Sequence, residues 1–368
     1  MKRKGNIFIV FASALWLLLC SGCNIWSNGD LLSELTISVT VSNTPEAPVS
    51  RATLDPSDYV GAMHDGEKMQ TLRIIIVRPD GTVEHNRFMD FHSAGGSSYL
   101  SVENVSFRVW GPETKKVYLF VNEKATRLNQ ATGLEEPIVN FDFDDLAQGD
   151  IFPKESLDQL QISLNSGSDE LPSAALPMSE CHEVAMPAND YHADLYVTRA
   201  CVKFTFLIEN KTGIENTLNA LSINKGSNIE YYLPRIQYIG DPLAGTFEVS
   251  DYIVPNTELN NYYVFSKQFD SIITTAGDKG DGVTALEPIY LLEGKYYDAG
   301  DARNYSMSMT FNGKEYSEYF PDVKTLPRNT HVVVLVSIGQ YGLDWTVDVI
   351  PYQEVILNPG FGQLYSDE

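Results

Sequence analysis

Few residues in this chain are of a type and spacing that could do chemistry. Cys23 follows the small residues Ser21 and Gly22 at the end of an apolar run, which makes its thiol a candidate for acylation. Arg51 is the only basic side chain in the ten-residue loop from Asn43 to Ala52, so an arginine-specific protease has one target there, the Arg51–Ala52 bond. The histidines His64, His85, His92, His182, His192 and His331 lack metal-ligand spacing and read as surface or strand residues. Asp142-x-Asp144-Asp145 and Asp278-x-x-Asp281-Gly282 offer carboxylate oxygens but complete no calcium-loop pattern, and they read as solvated acidic loops. There is no His-Glu-x-x-His, no Gly-Lys-Ser/Thr phosphate loop and no Gly-x-Ser-x-Gly elbow. The reading is therefore of a protein that is not an enzyme, with no catalytic residue, no metal and no cofactor. Cys181 and Cys201 are the only cysteines beyond Cys23. An oxidising compartment would permit a bridge between them, and two separate thiols fit equally well.

The elements that position Cys23 and Arg51 are short. Lys2, Arg3 and Lys4 precede an apolar run, Ile7 to Leu19, too short to span a bilayer comfortably and placed as a signal peptide. Cys20-Ser21-Gly22-Cys23 resembles the lipobox of bacterial lipoproteins, with Cys20 where leucine is usual. That similarity implies a diacylglyceryl-cysteine carrying a further N-acyl chain, and several chains anchor stably where one does not. Residues 24–34 read as a polar tether. Leu35-Thr36-Ile37-Ser38-Val39-Thr40-Val41 is the cleanest strand in the sequence, with Leu35, Ile37, Val39 and Val41 on one face. Burying those four side chains is worth roughly 6–12 kcal/mol, comparable to the stability of a whole domain. This strand lies between a membrane tether and a protease target, so it reads as one that can be removed and replaced by a neighbour's strand.

The rest of the chain is read as all-β. Thr71 to Val77 is a β-branched run that fits a central strand buried on both faces, followed by a Pro79-Asp80-Gly81 turn. Val102 to Val109 and Val117 to Val121 are further strands, and Glu155 to Leu164 reads as a short amphipathic helix. Pro172, Pro177 and Pro187 punctuate the middle. Val202 to Ile208 alternates as a half-buried strand, and Tyr262 to Phe265 and Ile289 to Leu292 are shorter ones. Ser306 to Phe320, turning at Asn312-Gly313, is a two-residue hairpin. His331 to Ser337 and Trp345 to Val349 close the series. The expected divisions are 1–22 signal peptide, 23–51 tether and first strand, 52–189 and 190–350 two β-domains, and 351–368 a tail.

Composition bounds the partners. The chain has 368 residues and a net charge of −23, and loss of the three leader cations leaves 23 basic against 49 acidic residues, near −26. Such a balance argues against nucleic acid or anionic lipid as a partner.

Together these stretches resemble the fimbrilins of Bacteroidales, the type V pilins. The resemblance is carried by the Cys23 motif, the strand and loop to Arg51, and the strand ending in the Asp80-Gly81 turn. It is carried further by Val117 to Asn122, Pro177-Met178-Ser179, Arg199-Ala200-Cys201-Val202-Lys203, and Arg328-Asn329-Thr330-His331 before Trp345. Cys201 stands where the family more usually has a small or aliphatic residue. The resemblance implies two tandem transthyretin-like β-sandwich domains, export as a lipoprotein to the outer membrane, and cleavage after an arginine that frees the first strand. It implies that a C-terminal segment of one subunit fills the vacated groove of the next. By position and apolar character that donor would be Val355-Ile356-Leu357. The expected partners are other fimbrial subunits, with a host or bacterial surface ligand beyond them. A second reading stays open: a surface glycan-binding lipoprotein that does not polymerise, using some of the 20 tyrosines to stack on sugars. The simpler account of those tyrosines is strand propensity.

Overall fold

The structure is a computed structural model of the 368-residue chain. It describes residues 31–42, 64–92, 97–129, 132–164, 167, 169–172, 174–239, 248–252, 263–274, 283–295, 305–320, 325–339 and 342–351. The described chain is almost entirely β. In order the first strands are β1 Leu31–Val41, β2 Thr71–Val77, β3 Val83–Asp90, β4 Ser101–Gly111, β5 Glu113–Val121, β6 Thr126–Leu128 and β7 Glu135–Pro137. One five-residue helix, α1 Lys154–Asp158, precedes β8 Gln161–Ser163, β9 Met178–Met186 and β10 Tyr191–Arg199. Then come β11 Val202–Asn210, β12 Asn216–Gly226, β13 Ile229–Tyr231, β14 Ile236–Ile239, β15 Glu248–Tyr252 and β16 Tyr263–Thr274. The last are β17 Val283–Ala285, β18 Ile289–Leu291, β19 Gly294–Lys295, β20 Ser306–Phe311, β21 Lys314–Tyr319, β22 Thr325–Leu326, β23 Thr330–Gly339 and β24 Gly342–Pro351.

The first sandwich is one seven-stranded path, β3-β2-β5-β9-β10-β1-β4. It forms two layers because β10 changes partner: Tyr191–Val197 pair with β1, whereas Thr198 and Arg199 pair with β9. The chain passes from β4 to β5 at Gly111-Pro112, where an added Cβ on Gly111 would lie 2.7 Å from the Pro187 carbonyl oxygen, so the two layers close on a glycine. One apolar cluster fills the interior: Leu35 and Ile37 from β1, Ile74 from β2, Phe107 from β4, Leu119 from β5 and Val197 from β10 among others. The second face of β2 and β5, through Ile75, Val77, Tyr118 and Phe120, packs into a second cluster that continues through the rest of the chain. That explains why β2 is buried on both faces as its composition implies.

The second sandwich sets β17-β11-β23-β24, with β18 also on β11, against β16-β12-β20-β21. Phe204, Phe206, Val334, Leu221, Met309 and Phe265 meet between them. Asn312 and Gly313, at φ +49° and +76°, make the expected two-residue turn between β20 and β21.

Several sequence expectations shift. β1 starts at Leu31 rather than Leu35, because residues 31–34 pair with Arg108 to Gly111 of β4. The Glu155–Leu164 helix contracts to α1, because Ile162 lies in β8, which pairs with β13. β10 belongs to the first sheet and β11 opens the second, so the sheets divide at Ala200–Cys201, ten residues beyond the expected boundary near 190. β11 is buried on nearly all its residues rather than on one face.

Candidate functional site

The strand-holding groove of the first sandwich gathers the residues singled out in β1. Leu35, Ile37 and Val39 are 0% exposed and Val41 is 2% exposed. β1 lies between β10, to which it runs parallel from Leu35↔Tyr191 to Val41↔Val197, and β4, to which it runs antiparallel from Leu31↔Gly111 to Thr40↔Ser101. A register irregularity between Ile37 and Val39 interrupts the β4 side. The apolar floor and walls come from Phe107 and Val109 on β4, Leu195 and Val197 on β10, and the facing Ile74 and Leu119. β4 is the terminal strand of the sheet and its ladder partner is β1. Removing β1 would expose a row of backbone groups on β10 and leave β4 without its sheet.

Apart from Leu32, 48% exposed, the outer face of β1 is polar, and the strand's polar contacts are all long-range in sequence. Ser33 Oγ donates to the Ala188 carbonyl at 2.9 Å, and the Glu34 N–H donates to Asp190 Oδ1 at 2.8 Å. Thr36 meets Ser106 at 3.4 Å, Thr40 meets Ser101 at 3.3 Å, and Ser38 Oγ lies 3.2 Å from His192 Nε2. At its end the Val41 N–H donates to the Leu100 carbonyl and the Ser42 N–H to the Val197 carbonyl, both at 2.8 Å. The Ser42 carbonyl accepts from Asn329 Nδ2 at 2.9 Å and from Arg199 Nη1 at 3.2 Å.

Buried ions cluster at the seam between the sandwiches. Lys203 Nζ donates to Glu67 Oε1 at 2.8 Å, and the Tyr290 hydroxyl donates to the same oxygen. Both long side chains of that ion pair are buried. Arg328 lies between Glu230 and Glu293, 3.2 and 3.0 Å from their nearer oxygens, with all three side chains buried. Burial, followed by the neighbouring Glu293 charge, pushes the Glu230 carboxyl up to about 8. Burial holds the His331 imidazole down at about 3, and its Nε2 lies 2.8 Å from Thr205 Oγ1.

The other residues singled out by type are dispersed. Cys23, Arg51, Ala52, Val355, Ile356 and Leu357 lie outside the described residues, as do Asp278 and Asp281. Cys181 and Cys201 are free thiols, and burial pushes the Cys181 thiol up to about 11. Among the described residues no group of three or more His, Cys, Asp or Glu is placed to hold a metal ion. The loop at Asp142 to Asp145 is structural as well as solvated: Asp142 caps a short turn through the Asp144 N–H, and Asp144 pairs with Arg73 at 2.5 Å and Lys124 at 2.8 Å. Tyr118, Tyr263 and Tyr290 are buried strand residues and Tyr232 and Tyr305 are buried beside strands, whereas Tyr99, Tyr191, Tyr196 and Tyr319 are exposed. Sequence reading placed Arg199 and Asn329 in recurring patterns without giving either a role; a charge and an amide at the ends of apolar strands were the signal available.

No protein-family model matches the sequence. No curated protein matches it either. Among solved structures, it is similar in fold to a candidate cell adhesion protein of Parabacteroides distasonis, at 12% identity and a TM-score of 0.49 over 88% of this chain and 98% of that one. It is similar to the tip fimbrial protein Mfa3 of Porphyromonas gingivalis, at 12% identity and a TM-score of 0.47 over 87% and 99%. It is also similar to a fimbrial assembly protein of Parabacteroides distasonis, at 10% identity and a TM-score of 0.43 over 88% and 99%.

Proposed function

We propose that this chain is a structural subunit of a cell-surface fimbrium, exported as a lipoprotein on Cys23 and assembled by replacing β1 with a strand from a neighbouring subunit. The observation that carries the reading is the position of β1. It is flanked by strands on both sides, it buries four apolar side chains, and in sequence it is separated from β2 by residues 42–70. A cut at Arg51–Ala52 leaves β1 held by non-covalent contacts alone. Its departure exposes apolar pockets and unpaired backbone, a template that another strand satisfies. Refilling the groove recovers both terms, so cleavage drives assembly without a nucleotide. While the loop is intact, the tethered β1 competes at high effective concentration and blocks its own replacement.

Val355-Ile356-Leu357 is the donor proposed for the neighbour's groove, and other fimbrial subunits are the partners. A ligand on a host or bacterial surface would be met by the assembled fibre. The test compares wild type with Arg51→Ala and with deletion of residues 353–368, reading boiling-sensitive ladders on gels and the N-terminus of surface material. Ladders are expected from wild type only, and an Ala52 N-terminus from wild type and the tail deletion but not from Arg51→Ala. Unchanged ladders from Arg51→Ala would overturn cleavage-driven replacement.

A further inference from the structure

We infer that the end of the first sandwich at which β1 begins is a lipid-contact surface: Leu32, Trp110, Ile151 and Tyr191 rest on a membrane of zwitterionic headgroups while the chain is anchored through Cys23. The surface stands on the geometry of this chain; its access to lipid rests on the lipoprotein reading of Cys23.

The topology gathers a set of strand ends at this pole. Leu31 pairs with Gly111, where β4 ends and the chain turns into β5. Ser33 Oγ donates to the Ala188 carbonyl at 2.9 Å and the Glu34 N–H to Asp190 Oδ1 at 2.8 Å, which brings in the turn between β9 and β10. The Trp110 N–H donates to Glu84 Oε1 at 2.6 Å, and Thr82 pairs with Ile151, which brings in the start of β3 and the loop before α1. The second sandwich meets the other end of β1, where the Ser42 carbonyl accepts from Asn329 and Arg199. Leu31 follows Cys23 by eight residues. Fully extended, they reach at most roughly 29 Å. β1 alone is about 36 Å long. The anchor therefore confines this pole, and not the second sandwich, to the neighbourhood of the bilayer.

What the pole presents suits that place. Leu32 and Trp110 are register partners on the outward side of β1 and β4, 48% and 38% exposed, and Tyr191 and Ile151 are 42% and 70% exposed. Pro79, Pro112 and Pro187 in the surrounding turns are exposed, and none has an N–H to desolvate. Indole and phenol rings join an apolar body to a polar tip, the combination that settles at a membrane–water interface. Asp80 and Asp190 in the same turns are exposed and stay in water, so the contact is shallow. A chain this acidic is repelled by anionic lipid, which leaves zwitterionic headgroups as the partner. The acyl chains supply the anchoring, and at the high local concentration they impose four side chains suffice. A cut at Arg51–Ala52 followed by loss of β1 takes Leu32 and the tether away together, and so ends the contact.

The experiment uses the mature chain, residues 23–368, with Cys181→Ser, coupled through the Cys23 thiol to phosphatidylcholine vesicles that carry a maleimide lipid; Cys201 is buried and stays unmodified. Trp26→Phe with Trp345→Phe leaves Trp110 as the only tryptophan, and Trp26→Phe with Trp110→Phe leaves Trp345, which pairs with Val336 in the second sandwich. Brominated phosphatidylcholine quenches a tryptophan only at close range. Emission from Trp110 should fall about twofold and that from Trp345 by less than about a tenth. Adding Leu32→Ser and Ile151→Ser, both at exposed positions, should restore roughly half of the emission lost by Trp110. An unquenched Trp110, equal quenching of both tryptophans, or quenching of Trp110 that the serine pair leaves unchanged would overturn the contact. In a second arm, mass spectrometry reads Cys23 in the chain exported with its own leader. An unacylated Cys23 would overturn the lipoprotein reading and the proposal with it, whereas an acylated Cys23 without quenching overturns the surface alone.

Discussion

Raising the pH from 5 to 9 should remove stability through the carboxyl of Glu230, the more strongly raised of two buried carboxyls, the other being Glu123. Glu230, Glu293 and Arg328 are at most 1% exposed, two acids sharing one base. The Glu293 N–H donates to Glu230 Oε2 at 2.8 Å, and the Arg328 N–H donates to Glu293 Oε2 at 3.2 Å. Glu230 Oε1 lies 3.2 Å from Arg328 Nη2 but makes no hydrogen bond, so a charge on this carboxylate is incompletely answered. Burial and then the Glu293 charge raise this carboxyl from 4.5 to about 8. The native state therefore holds a proton across an interval in which the unfolded chain has lost it. The stabilisation is complete below pH 4.5 and is lost as pH rises through about 8. At about 1.4 kcal/mol per pH unit and proton, the loss over that interval is on the order of 3–5 kcal/mol. Glu230→Gln places an uncharged amide there and should abolish this part of the pH dependence, at a cost of about 1–2 kcal/mol at pH 5. Urea denaturation at pH 5, 6, 7, 8 and 9 reads both proteins, and the two stability curves should cross at about pH 6–6.5, with Glu230→Gln the more stable by roughly 2–3 kcal/mol at pH 9. A constant offset between them from pH 5 to 9 would show Glu230 ionised throughout and refute the reasoning.

The remaining expectations concern packing and the other buried charges. Ile37→Ala should cost about 2–4 kcal/mol in denaturant unfolding, since its side chain is 0% exposed, whereas Thr36→Ala on the outer face should cost under about 0.5 kcal/mol. Lys203→Met leaves Glu67 buried without its cation and should cost about 3–5 kcal/mol; adding Glu67→Gln should recover part of that, and no recovery would mean the loss is not electrostatic. His331, held down at about 3 by burial, stabilises fully above pH 6.5 and progressively less as pH falls toward 3. His331→Gln should flatten the acid limb of the urea titration between pH 6 and 4.

What the sequence disclosed of this molecule was what neighbouring residues decide among themselves. β1 and β2 are legible because alternation, or an unbroken β-branched run, reports which faces are buried. The β20–β21 turn is legible because Asn312 and Gly313 suit its positive φ angles. Partners far along the chain are another matter. β1 lies parallel to β10 some 155 residues later, and no local pattern encodes that choice. β11 looks half-buried because Lys203 and Thr205 alternate with Val202, Phe204 and Phe206. It is buried because Glu67 answers the lysine and His331 the threonine. The Glu230–Glu293–Arg328 group escapes a sequence reading for the same reason, since its members are 35 or more residues apart in a chain rich in carboxylates.

This division between local and distant information bears on how β1 is held. Alternating apolar residues are the part of a strand that a local pattern specifies, and many strands share them; Leu35, Ile37, Val39 and Val41 would fit a groove of this shape in any protein that had one. What a local pattern leaves unspecified comes from groups with direction and a high cost of mispairing. Buried polar groups have both, because a buried donor left without an acceptor costs roughly 1–3 kcal/mol. In the described chain those groups stand where β1 ends, with Arg199 on the strand that leaves it and Asn329 on the turn that opens β23. Apolar burial thus supplies most of what holds β1 in the sheet, and the two donors at its end satisfy the Ser42 carbonyl with side chains drawn from distant parts of the chain.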